Sequence, residues 1–138
     1  MTSPELENLA RIGKLKREPS AAHELAGLLA SGERRLEDAR RTDLAFDSRF
    51  DLGYNAAHSL ALYALRRMGY RSDNRYLVFQ VLPHTLGLPA AQWRVLAKAH
   101  EQRNLAEYEG HLEHDEHLLV DMLVAAESLL AAIHNLPD

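Results

Sequence analysis

The sequence contains no cysteine. That excludes disulfides, thiolate catalysis and cysteine-type zinc centres. It has no excess of basic charge either: 16 Lys and Arg stand against 20 Asp and Glu, a net charge of −4. Such a balance disfavours general electrostatic adhesion to nucleic acid or to an anionic membrane, and leaves room only for a local basic site. Long apolar runs are missing. The longest, LALYAL, is far shorter than a bilayer span. The charged opening MTSPELENLARIGKLKREPS has no apolar segment of the secretory kind. The expectation is a cytoplasmic protein without membrane contact. Glycine and proline are scarce, 7 and 5, and fall between stretches of helical pattern.

What is present is helix. The 138 residues suit one domain with a real core. Ser3-Pro4 reads as a cap followed by a first-turn proline, opening a short helix to about Lys16. Pro19-Ser20 then ends that helix and caps a second one, about Ala21 to Arg41, with Leu25, Leu28, Leu29 and Leu36 on its apolar face. Gly32 is expected to weaken or bend it. A third helix, about Ser48 to Met68, is apolar nearly all round and so reads as central. A fourth, about Arg75 to Leu86, kinks or begins at Pro83, with a strand as its alternative. A fifth opens at Pro89 and stops at Gly110. The last runs from about Glu113 to Asn135. The expected fold is all-α: an antiparallel, mostly up-and-down bundle of five to six helices. It forms a single domain over 1–138, with residues 1–19 as a short helix and linker and 20–136 as the core.

Two helices break their own apolar pattern. At about 100° per residue, Trp93, Leu96 and Ala97 define a buried stripe on the fifth helix. His100, Arg103, Asn104 and Glu107 continue that stripe toward the C-terminal end. On the third helix Asp51, Asn55 and His58 share a stripe that Leu62 and Leu65 extend, with Tyr54 beside it. An unpaired buried polar atom costs about 1–3 kcal/mol, so these groups need partners. If the helices pack, Asp51 or Glu107 can pair with Arg103, and His58 with Asn55 or Tyr108. Two readings stay open: a hydrogen-bond network that fixes helix register, and a ligand site.

The stretches SRFDLGYNAAHSLALYALRRMGY, NRYLVFQVLPHTLGL and KAHEQRNLAEYEG together resemble HEPN domains, over roughly Ala21 to Ile133. The resemblance implies a helical bundle that dimerises. Many members are metal-independent RNases of toxin–antitoxin and defence systems; others bind nucleotides or act as interaction modules. The RNase signature in that family is an arginine, four to six residues, then a histidine. Arg103-Asn104 matches its first half. Its second half is absent: Tyr108, Glu109 and Gly110 fill the window, and RNLAEY is similar instead to the non-RNase branch. The first expectation is therefore an atypical or non-catalytic HEPN-like protein. It would bind a nucleotide-like ligand, RNA or a protein through Asp51, Asn55, His58, Arg103, Asn104, Glu107 and Tyr108.

The alternative is a metal-independent RNase toxin using Arg103, His58, Glu107 and Tyr108, with a nucleotidyltransferase-like or antitoxin protein as partner. A third reading is a purely structural interaction module. No cofactor is expected. Seven acidic residues against one basic between Glu101 and Asp121 oppose a phosphate backbone there. The denser basic stretch, RRMGYRSDNR, reads as favourable charge at a helix C-terminus. HLEHDEH sets His111, His114 and His117 among carboxylates, a set conceivable for a metal but more simply an acidic helix start.

Overall fold

The structure is a computed structural model and describes residues 3–137. Among these the chain forms seven helices and one two-stranded ribbon. Ser3 accepts a hydrogen bond from the Leu6 amide and Pro4 opens α1 (Pro4–Arg11), as the cap pattern predicts. The helix is shorter than expected. Gly13, at φ +84°, turns the chain, Leu15 plugs into the core, and β1 (Lys16–Arg17) follows. Its partner is β2 (Tyr70–Arg71), antiparallel, with Lys16 opposite Arg71 and Arg17 opposite Tyr70. The residue pattern predicts no strand here. Two residues are too few to show an alternation.

Next, α2 (Ala22–Ala39) begins one residue later than expected. Ala21, not Ser20, holds the cap position, and Glu24 reaches back toward the Ala21 amide. α3 (Phe46–Arg67) is the central helix and buries residues on all sides, from Phe50 and Tyr54 to Leu65 and Arg66. Arg49 donates to the Ala39 carbonyl at one end of the α2–α3 pair, and Arg66 holds Glu24 at the other, so the two helices run antiparallel. The expected fourth helix is two short ones, α4 (Arg75–Gln80) and α5 (Leu82–Thr85), with Pro83 in the first turn of the second. Proline is tolerated in a first turn, where the missing N–H has no intrahelical acceptor. α6 (Ala90–Glu109) ends on Gly110 at φ +79°, the left-handed residue expected there.

α7 (Glu116–His134) is capped by Asp115, which accepts from the Leu118 amide. It starts later than expected because His111–His114 form a connection, in which His114 stacks on Phe46 and bonds Glu116. α7 is also the one described helix long and apolar enough, by length and composition, to cross a bilayer. Here its stripe of Leu119, Met122, Ala126 and Leu129 is fully buried in the bundle. It runs parallel to α3, Phe46 meeting His114 at the starts and Arg67 reaching the Pro137 carbonyl at the ends.

α2 continues unbroken through Gly32. The glycine lets α3 come close: a Cβ there would stand 2.6 Å from Cδ2 of Leu60, which is wholly buried. Overpacking a rigid core position costs about 1–3 kcal/mol, and the helix propensity gained from alanine offsets about 1 kcal/mol of that. Gly32→Ala is therefore expected to destabilise the fold by about 1 kcal/mol in urea denaturation. An increase in stability would remove the close-approach role.

Candidate functional site

The two polar stripes meet. The start of α3 lies against the end of α6, so Asp51 and Tyr54 face Arg103 and His100. Tyr54 is the centre. Its ring is 1% exposed, and its hydroxyl lies 2.8 Å from Nδ1 of His100. The other ring nitrogen of His100, Nε2, lies 3.1 Å from the Asn104 side-chain amide one turn on. Both nitrogens of this imidazole are therefore engaged. Phe79 meets the Tyr54 ring edge-on, and Tyr76 packs between Trp93 and His100.

Two guanidiniums approach the same tyrosine ring. Arg103 lies 4.9 Å and Arg75 5.6 Å from the ring centroid, a placement favoured by the ring quadrupole. Their own charges are only loosely matched. Arg103 stands 3.3 Å from Glu107 and 3.6 Å from Asp51, both carboxylates more than 60% exposed; such surface pairs contribute little. Arg75 has an amide oxygen, that of Asn55, at 3.4 Å, and no carboxylate within ion-pair distance among the described residues. Asn55 also donates to the Asp51 carbonyl.

The local field is positive, and the imidazoles register it. Burial, with Arg75, His100 and Arg103 adding to it, pushes His58 down to about 4. Burial and the same two arginines also lower His100, against a smaller opposing pull from Glu101. Both rings are neutral near pH 7.

Of the residues expected in one cleft, Asp51, Asn55, Arg103, Asn104 and Glu107 do come together. On their outer side Phe50, Asp51, Arg103, Ala106 and Glu107 border an open depression of about 440 Å³. His58 points elsewhere: it meets Phe79 edge-on and borders a different groove with Leu62 and Arg75. It pairs with neither Asn55 nor Tyr108. Tyr108 is 93% exposed and takes no part in the cluster. At about 100° per residue it points some 140° away from Arg103.

Three members escaped the expected site list. His100 lies on the expected stripe of α6, and Tyr54 beside that of α3. Arg75 had no signal of its own, being one arginine of a basic run whose helix register the sequence leaves open. The basic run hides a second surprise, since Arg66 is turned inward and 1% exposed. Compared with protein-family models, with curated proteins and with solved structures, the chain matches none.

Proposed function

We propose that the protein is an atypical, non-catalytic bundle of the HEPN type that binds a nucleotide-like ligand, its phosphate held between Arg75 and Arg103. The observation that carries this reading is the pair of guanidiniums on one buried tyrosine with, among the described residues, no buried carboxylate to neutralise them. Charge-assisted bonds to a phosphate complete what the fold leaves loosely matched. The Asn104 amide supplies a further polar contact. Tyr76 and Trp93, partly exposed beside His100, offer an aromatic surface to a base.

Cleavage of RNA needs a free imidazole or an equivalent group at the scissile phosphate. His58, the imidazole of the cleavage alternative, borders a separate groove and not the depression beside Arg103. His100 commits both nitrogens to Tyr54 and Asn104, and Tyr108 points into solvent. Those three facts support binding over catalysis. The test is titration calorimetry with a panel of adenine and guanine nucleotides on wild type and Arg103→Ala. Wild type is expected to bind, and the variant to weaken binding about tenfold, the effect of one lost charge-assisted hydrogen bond. No binding by wild type, together with a clear loss of stability in Arg103→Ala, would instead make the cluster a structural staple. Metal-free cleavage of transfer RNA that Arg103→Ala abolishes would replace the reading with an RNase.

A further inference from the structure

A second groove lies behind this site, on the far side of Arg75. Its volume is about 620 Å³, and it runs between the Gly13–Lys16 turn, the β2–α4 connection and α3. In a chain of net charge −4 its lining is unusual. Lys14, Lys16, Arg71 and Arg75 border it, against a single carboxylate, Asp73. Arg71 is committed to Glu18 and Glu24. Lys16 reaches Glu18 only at 3.8 Å and is 74% exposed. Lys14 and Arg75 have no carboxylate within ion-pair distance among the described residues. His58 borders the groove from α3. Its ring contact is the edge of Phe79, and its neighbours' hydrogen bonds go to one another rather than to it.

We infer that this groove holds the outer phosphates of a ligand carrying a phosphate chain. Lys14 and Lys16 are its cationic contacts, and His58 is a hydrogen-bonding group in its wall. Arg75 belongs to both places: its guanidinium lies over the Tyr54 ring and its side chain borders the groove. A ligand whose first phosphate sits between Arg103 and Arg75 therefore has its next phosphates directed toward the lysines. The inference rests on the proposed nucleotide reading and narrows it to the polyphosphate class, as in a nucleoside triphosphate, over a monophosphate.

The test uses the full chain at one fixed ionic strength, because exposed charges are screened by salt. Calorimetric titrations with adenosine triphosphate, adenosine monophosphate and inorganic triphosphate are compared for wild type, Lys14→Ala/Lys16→Ala and Arg103→Ala. Both lysines are exposed, so the double variant keeps the fold. It is expected to weaken triphosphate binding about tenfold and leave monophosphate binding within about twofold of wild type. If the lysine variant binds the triphosphate as wild type does, while Arg103→Ala weakens it, the groove has no role and the Arg103 site stands. If the lysine variant alone loses inorganic triphosphate and Arg103→Ala changes nothing, the groove stands and the Arg103 reading falls. If wild type binds none of the three, both are overturned.

Discussion

Replacing Arg66 with alanine is expected to cost the fold about 3 kcal/mol, more than any exposed substitution. The side chain is 1% exposed and uses all five of its N–H donors. Two go to the Glu24 carboxylate as a fork. Three go to the carbonyls of Glu18, Pro19 and Tyr70. One residue thus ties the end of α3, the start of α2 and both sides of the β ribbon. Alanine leaves four acceptor groups without that donor set. Solvent reaches Glu24, which is 26% exposed, so the loss falls at the lower end of the range for a broken buried pair. Lysine keeps the charge but cannot match a planar five-donor array, so Arg66→Lys falls between wild type and alanine. Urea unfolding followed by circular dichroism measures both. An unfolding free energy for Arg66→Ala within about 0.5 kcal/mol of wild type would mean the side chain is replaceable by water.

The acid end of the stability curve follows from the same cluster. The Arg66 fork holds Glu24 down at about 2, and the Arg71 hydrogen bond lowers Glu18. A depressed carboxylate stabilises the fold fully above its unfolded value and loses that contribution as pH falls through its folded value. For Glu24 the window runs from about 4.5 down to about 2.

How far the sequence carried depends on whether a feature repeats along one helix or arises between helices. α3, α6 and α7 were legible within a few residues because their apolar stripes span several turns and end on Gly69, Gly110 and Asn135. The same wheel placed Arg103, Asn104 and Glu107 below the Trp93 stripe, and Asp51 and Asn55 on the facing helix. Tyr108 belongs to the expected set through the motif resemblance alone, since its own angular position is against it. Arg66 was read as a charge at a helix end. It stands three and four residues after Tyr63 and Leu62 on a helix apolar all round, which is the one local hint that it turns inward. Arg75 and the groove it borders depend on how the β ribbon and α4 lie against α3. A two-residue strand pairing across more than fifty positions leaves no periodic trace. The all-helical bundle was therefore readable, while the ribbon that positions the groove was not.

Acidification from pH 7 to pH 5 is expected to destabilise the protein by about 2 kcal/mol through His58, well before the carboxylate window opens. The imidazole is held at about 4 in the fold, against an ordinary value of 6.5. Above 6.5 the ring is neutral in both folded and unfolded chains, so it contributes no pH dependence. Below 6.5 the unfolded chain takes up a proton that the folded one refuses. Stability then falls by about 1.4 kcal/mol per pH unit until the folded ring also titrates near 4. His100 acts in the same direction, since it too is lowered. Urea midpoints at pH 7 and pH 5 give the measurement, with His58→Gln as the neutral comparison. The variant should lose most of the difference, leaving the smaller share of His100. An equal loss in both proteins would assign the effect elsewhere. Bound triphosphate should shrink the wild-type difference as well. An anion beside the ring offsets the arginine charges that oppose its protonation, which raises the folded value back toward 6.5.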